Sequence, residues 1–210
     1  MVTAGLAFSP GPDNIFVLIQ SATLGKKTGM AVVMGLMTGC LIHTSLVAFG
    51  LSAFIQSNES LYFILKLFGA AYMLFLAIRV YKSDVNFNKD YQKVQSDGFY
   101  ELFKQGFIMN VLNPKVSIFF LAFFPAFLFS ENMALYKQFY TLGFLFILTS
   151  FSVFSCYVFL SSYFSKLFLK SPQRQLLLKH LQMGFFIGIA VVILRASPFN
   201  IFPIRPVAFL

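Results

Sequence analysis

Charged residues are scarce in this chain. Of its 210 residues only 11% are Asp, Glu, Lys or Arg, whereas 58% are hydrophobic. A water-soluble domain carries roughly 25% charged residues, because it needs them to cover its surface. The composition therefore excludes a soluble globular domain and predicts an integral membrane protein with the lipid bilayer as its surroundings.

Cysteine and tryptophan are rare as well. The chain has no tryptophan, and its two cysteines, Cys40 and Cys156, both lie in apolar runs. There a thiol behaves as a small hydrophobic side chain, so neither a disulfide framework nor a cysteine metal site is expected. The sequence also contains no HExxH or GxSxG motif and no phosphate-binding glycine loop. We expect no enzyme activity, no cofactor and no metal.

The net charge of +9 is spread along the chain rather than gathered in one segment. A nucleic-acid binder concentrates its Lys and Arg residues on one solvated face. Here these residues lie between long apolar runs, so nucleic acid is excluded as a partner.

The apolar runs predict about six transmembrane helices, since a bilayer core needs about 20 apolar residues per helix. The predicted spans are 2–22, 30–55, 61–81, 106–129, 139–165 and 181–196. They form a single membrane domain over residues 1–210, with a first half of about 1–81, a cytoplasmic connection 82–105, a second half of about 106–196 and a tail 197–210. Because each half has an odd number of helices, the two three-helix halves are oppositely oriented, as in an inverted repeat.

Basic residues alternate between the predicted connections. The first, third and fifth connections together carry ten Lys or Arg residues, and the second and fourth carry only Lys137. Since connections rich in Lys and Arg stay in the cytoplasm, both termini are predicted outside it. We expect a multi-pass protein of the inner (plasma) membrane.

Three ionisable residues, Asp13, His43 and Lys115, stand out inside predicted spans. Lys66 and Arg79 lie nearer the ends of their span, from where long side chains can reach the membrane interface. A charged side chain at mid-helix costs about 2.5–3.5 kcal/mol on insertion scales, so such residues usually have a function. His43 is predicted either to relay protons, because histidine titrates near neutral pH, or to be a hydrogen-bonded packing residue. Both interpretations stay open.

The first break in a predicted span is the run Pro10-Gly11-Pro12, followed by Asp13 and Asn14. Two prolines remove two backbone donors, so the helix must break there. Gly11 is the predicted cap and Pro12 the predicted first residue of a half-helix, with Asp13 near its positive end. The alternative is a simple proline kink.

The second break is Asn113-Pro114-Lys115, about half the chain length after Pro10. Interrupted segments at corresponding positions of two halves indicate the binding site of a transporter, where half-helix starts can hold a carboxylate. We therefore assign both breaks and His43 to a substrate or proton pathway, with Asp13 and Lys115 as partners.

Glycines four residues apart let membrane helices approach closely. The glycines predicted to pack helices are Gly35, Gly39, Gly69, Gly184 and Gly188. A homo-oligomer is compatible with such packing.

Several short motifs occur along the chain in a fixed order. They are Ser9-Pro10-Gly11-Pro12-Asp13, Gly25-Lys26-Lys27-Thr28-Gly29, Gly69-Ala70-Ala71-Tyr72, Gly106-Phe107 with Asn110, Asn113-Pro114-Lys115, and Phe119-Phe120 with Pro125. Together they resemble the LysE/RhtB family of amino-acid exporters. The resemblance implies export of amino acids or close derivatives from a bacterial cytoplasm, driven by the proton gradient.

Two functions follow from the sequence. The first is a secondary exporter of amino acids, whose substrate is either a serine-, threonine- or homoserine-like solute or a cationic one such as lysine. The alternative is a non-transporting membrane subunit or assembly factor, in which the prolines serve packing only.

Overall fold

A computed structural model of the chain describes residues 12–51, 59–82, 98–130, 132–164 and 172–195. These residues form helices and short connections, and none of them is in a strand. The helices are α1 Pro12–Leu24, α2 Lys26–Leu46, α3 Glu59–Lys82, α4 Phe99–Val111, α5 Pro114–Phe123, α6 Leu135–Phe159, α7 Ser161–Phe164 and α8 Pro172–Arg195. A π-helical turn, Val47–Leu51, continues α2, and a 3-10 turn, Phe124–Phe127, continues α5.

Four of the described helical segments are long and apolar enough to cross a membrane. They are Lys26–Gly50, Phe63–Lys82, Leu135–Phe159 and Leu176–Arg195. A bent pair, Phe99–Val111 and Pro114–Phe127, is a fifth candidate, with an angle of 51° between its two parts. The predicted class, an all-helical membrane protein, is confirmed.

Several helices begin before the spans predicted from hydropathy. The helices predicted at 30–55, 106–129, 139–165 and 181–196 begin instead at Lys26, Phe99, Leu135 and Pro172. Hydropathy marks only the residues inside lipid, whereas backbone hydrogen bonding extends a helix into its polar flank, one bond per residue. The last helix, predicted to be short, therefore has 24 residues. Residues 1–11, 83–97 and 196–210 lie outside the described part, so most of the first break, the connection and the tail cannot be compared.

Helix α2 lies at the centre of the bundle and packs against α1, α4 and α6, while α3 pairs with α8 and α5. One apolar cluster joins α1, α2, α4 and α6. A second cluster joins the end of α2 to α3, α5, α6 and α8, and it contains the stacked rings of Phe119 and Phe123. The start of α1, a helix of the first cluster, contacts the residue before α5, a helix of the second.

The outer faces of α3 and α8 are apolar and exposed. Only 28% of the span in α3 and 22% of the span in α8 is buried within the chain, and residues such as Phe63, Phe68 and Leu181 are about 60% exposed. Such surfaces match hydrocarbon rather than water, as a membrane-spanning bundle requires.

Close packing by glycine is found at the centre of the bundle. A Cβ built on Gly35 would lie 2.7 Å from the backbone nitrogen of Phe107, and one on Gly106 would overlap the carbonyl oxygen of Val32. Helices α2 and α4 are therefore in backbone contact. A Cβ on Gly69 would likewise overlap the side chain of Ala122 on α5.

Gly184 and Gly188 differ from these glycines. A Cβ on either would meet no heavy atom within 4 Å among the described residues. Helix α8 turns its opposite face, with Phe186 and Ile189, towards the core. Neither glycine therefore packs against another described helix, and their packing role stays a prediction.

Candidate functional site

The second half of the bundle contains a capped helix break. Pro114 is the first residue of α5, where its missing N–H removes no intrahelical hydrogen bond. Asn113 precedes it in an extended conformation, and its side-chain oxygen accepts a hydrogen bond of 3.0 Å from the backbone nitrogen of Lys115. The break predicted at Asn113-Pro114-Lys115 is present, and Asn113 is the cap of the new helix.

The described part of the first half starts with helix α1. Helix α1 begins at Pro12 and has Asp13 in its first turn. Pro10 and Gly11, with the predicted glycine cap, lie outside the described residues. Asp13 and Lys115 thus occupy equivalent places, because each follows the proline that starts its helix.

These two helix starts meet in space. The side-chain nitrogen of Asn113 donates to both carboxylate oxygens of Asp13, at 3.0 Å to Oδ2 and 3.3 Å to Oδ1. The amide of Asn113 therefore has two tasks, since its oxygen caps α5 while its nitrogen binds the acid of α1. Hydrogen bonds to a carboxylate are stronger than neutral ones, so this contact holds the start of α1 against the start of α5.

Lys115 places a cation beside this contact. Its ammonium interacts electrostatically with the Asp13 carboxylate. Its Nζ atom also lies 5.3 Å from the centre of the Phe186 ring on α8, at cation–π distance. Both charged side chains are partly buried, and an opposite charge nearby offsets part of the free energy needed to remove them from water.

Phe186 is a site residue that sequence reasoning missed. It is 1% exposed and lies on the face of α8 that packs into the bundle. The chain has 30 phenylalanines, so residue type alone gave no signal.

Asn14, also predicted in the pathway, points elsewhere. It is buried, with 6% of its surface exposed, and its side chain hydrogen-bonds Tyr157 on α6. It ties α1 to α6, whereas Asp13 ties α1 to the break before α5.

His43 lies on α2, close to the second break. Its Nε2 atom is 3.1 Å from the carbonyl oxygen of Asn110 in the last turn of α4. The Asn110 side-chain nitrogen in turn lies 3.5 Å from the sulfur of Cys40. All three residues are buried, with 5% of His43 exposed. The structure thus places the predicted ionisable residues at or beside one helix break.

The site combines a carboxylate, an ammonium and an amide next to an aromatic ring. A zwitterionic solute carries one carboxylate and one ammonium, so it can exchange partners with Asp13 and Lys115. The backbone N–H groups at the start of α5 add a weak positive potential that favours a carboxylate.

The chain is similar to known proteins over most of its length. The family model of the LysE type translocator matches residues 4–197. Over 139 residues the chain is 33% identical to a homoserine/homoserine lactone efflux protein of Salmonella typhimurium, a match that covers 66% of each chain. Over 135 residues it is 28% identical to the uncharacterized membrane protein YrhP of Bacillus subtilis, covering 60% of this chain.

The matched part spans 66% and 64% of these two relatives, slightly less than two thirds of their length. No solved structure matches the chain. The family match extends over nearly the whole sequence and confirms the resemblance drawn from the motifs. The chain therefore belongs to the family of LysE type translocators, and it is a multi-pass membrane protein.

Proposed function

We propose that this chain exports amino acids or close derivatives from the cytoplasm and exchanges them for protons. The observation that carries this proposal is the contact between the two helix starts, where Asn113 binds the Asp13 carboxylate beside the Lys115 ammonium. The name of the Salmonella relative, a homoserine/homoserine lactone efflux protein, supports a small hydroxylated amino acid as the substrate class.

In the proposed binding mode the substrate replaces the interaction between Asp13 and Lys115. Its carboxylate binds Lys115 and the N-terminus of α5, and its ammonium binds Asp13. The ring of Phe186, already against Lys115, bounds the site on the side of α8. Protonation of Asp13 would remove the partner of the substrate ammonium, so Asp13 is also the proposed proton carrier.

We further propose six spans arranged as an inverted repeat, with both termini outside the cytoplasm. Helix α1 corresponds to α4 and α5, α2 to α6, and α3 to α8. Under this correspondence the packing of α2 on α4 matches that of α6 on α1, while the α2–α6 and α3–α8 pairs each map onto themselves. These pairings favour the symmetry, as does the proline before Asp13 and before Lys115, whereas the packing of α1 on α2 has no comparable counterpart between α6 and α4 or α5.

Transport in sealed vesicles tests the proposal. The purified chain is reconstituted into proteoliposomes loaded with radiolabelled homoserine, and its release is followed with and without an imposed pH gradient. We expect release that the gradient accelerates. Vesicles that retain the substrate under both conditions would contradict export and favour the non-transporting subunit.

Variants then test the site. Lys115→Met and Asp13→Asn should each lower substrate affinity roughly 10- to 100-fold, because each removes a charged hydrogen bond worth about 1.5–3 kcal/mol. Lys137→Met and Glu101→Gln are the matched controls, since both residues are exposed. If Lys115→Met transports like these controls, Lys115 is not a binding residue.

A further inference from the structure

The end of α4 leaves its last carbonyls without their helical partners, and that of Asn110 is one of them. In an α-helix the carbonyl oxygen of residue i accepts from the N–H of residue i+4. For Asn110 that residue is Pro114, which has no N–H. Asn110 is only 4% exposed, and a buried carbonyl without a donor costs about 1–3 kcal/mol. The carbonyl therefore needs another donor.

Two donors supply this carbonyl. The backbone nitrogen of Asn113 lies 3.0 Å from the Asn110 oxygen, and Nε2 of His43 lies 3.1 Å from it. A carbonyl oxygen can only accept, so Nε2 of His43 must carry a proton. The Asn113 N–H takes the place of the missing helical donor, and His43 adds a second hydrogen bond from another helix to the same carbonyl.

Packing holds the histidine in this place. Gly39 lies one turn before His43 on α2, and a Cβ there would lie 2.6–2.9 Å from the side-chain atoms of Asn110. Without that Cβ, α4 can approach closely enough for the His43 contact. The His43 ring also lies 5.6 Å from the ring of Phe120 on α5. His43 thus contacts α4 through Asn110 and α5 through Phe120, on the two sides of the break.

We propose that His43 is a positioning residue: by donating to the Asn110 carbonyl it sets the geometry of the break and so orients Asn113 towards Asp13. Asn113 is three residues from Asn110, and its backbone N–H donates to the same carbonyl as His43. The effect on transport rests on the proposed function, whereas the hydrogen bond itself does not.

This role differs from proton relay in a testable way. Both the Nε2-protonated neutral ring and the imidazolium can donate from Nε2, so positioning needs no change in protonation. A relay needs the ring to gain and lose a proton. In His43→Gln the side-chain amide nitrogen reaches about as far as Nε2 and can donate, but it does not titrate. His43→Phe keeps the ring and removes the donor.

The chain offers a matched control, because its only other histidine is His180. His180 is exposed, and its Nδ1 atom bonds the carbonyl of Leu176 in its own helix at 2.8 Å. His180→Gln and His180→Phe should leave transport unchanged. For His43→Gln we expect a KM within about twofold of the unmodified chain and the same dependence of rate on pH. For His43→Phe we expect a KM raised roughly 5- to 100-fold, because one buried hydrogen bond is lost.

Two outcomes in transport would overturn the proposal. One is a His43→Gln variant that inserts normally but whose transport is no longer accelerated by the pH gradient, which would identify His43 as a proton relay. The other is His43→Phe with unchanged kinetics. If His43→Phe does not insert, the KM and the pH dependence of His43→Gln, compared with those of the unmodified chain, decide between positioning and proton relay.

A measurement independent of transport separates failure of this inference from failure of the proposed function. Nitrogen-15 NMR of the His180→Gln chain, labelled at histidine, reports on His43 alone. We expect a proton on Nε2. An unprotonated Nε2 would overturn the positioning role even if the chain exports amino acids, and a protonated one would support it even if the vesicles show no transport.

Discussion

Two glycine-to-alanine substitutions, Gly35→Ala and Gly188→Ala, measure the contact between α2 and α4. Both glycines lie inside long helices and have a second glycine four residues away. The new methyl at Gly35 would lie 2.7 Å from the backbone nitrogen of Phe107 and 3.0 Å from the carbonyl carbon of Phe103. These are backbone atoms, which cannot rotate aside. At Gly188 no described heavy atom lies within 4 Å.

The expected difference in stability between the two variants follows from two contributions. Replacing Gly by Ala inside a helix gains about 1 kcal/mol of helix propensity, and this term is the same at both positions. Inserting an extra carbon into a packed interior typically costs about 1–3 kcal/mol. We therefore expect Gly188→Ala to be as stable as the unmodified chain or more stable by up to about 1 kcal/mol. Gly35→Ala should be less stable than Gly188→Ala by about 1–3 kcal/mol.

Unfolding in detergent micelles, followed by far-ultraviolet circular dichroism, measures this difference. Tryptophan fluorescence is not an option, because the chain has no tryptophan. Equal stability of the two variants would refute the backbone contact between α2 and α4. Destabilisation by Gly188→Ala would instead show that this face of α8 is covered, for example by a second copy of the chain.

Three further predictions concern the loop after α5, the cap and the topology. Gln138 makes four hydrogen bonds of 2.8–3.0 Å to backbone groups of that loop. Gln138→Leu should therefore lower the free energy of unfolding by on the order of 3 kcal/mol in the same assay. An unchanged free energy of unfolding would show that Gln138 does not hold the loop. Asn113→Ala should cost about 1 kcal/mol of stability through the lost cap and should weaken substrate binding in vesicles, whereas a normal KM would separate Asn113 from the site. For the topology, Cys156→Ser first removes the exposed native thiol. A cysteine introduced in the connection 82–105 should then react with an impermeant reagent only after the cells are permeabilised. Labelling in intact cells would contradict the predicted orientation.

Local chemistry explains why the second break was predictable. A proline lacks an N–H wherever it stands, so Asn113-Pro114 had to interrupt the helix, and asparagine is a common cap. Asp13 and Lys115 were singled out because lipid penalises charge, and the structure brings both to the contact made by Asn113. Helix ends were predicted less well, because hydropathy says where lipid ends and not where backbone hydrogen bonding ends.

The contacts of these residues depend on parts of the chain that are far apart. Phe186 is one of 30 phenylalanines and became a site residue only because α8 packs against the start of α5. Gly184 and Gly188 have the same spacing as Gly35 and Gly39, yet only the latter pair contacts another described helix. Two glycines four residues apart leave one face of a helix without side chains, whereas the packing of the bundle decides whether another helix covers that face.

By itself the sequence determined that this protein is a helical membrane bundle, that a helix stops before Pro114, and that the Asn110 carbonyl loses its usual donor. These properties depend on composition and on atoms within one turn of helix. Only the tertiary structure decided that His43, distant in sequence, donates a second hydrogen bond to that carbonyl at 3.1 Å and that Asn113 reaches Asp13 in the other half. Such partners are selected by which helices pack together, and that depends on the fit of whole faces rather than on any local pattern.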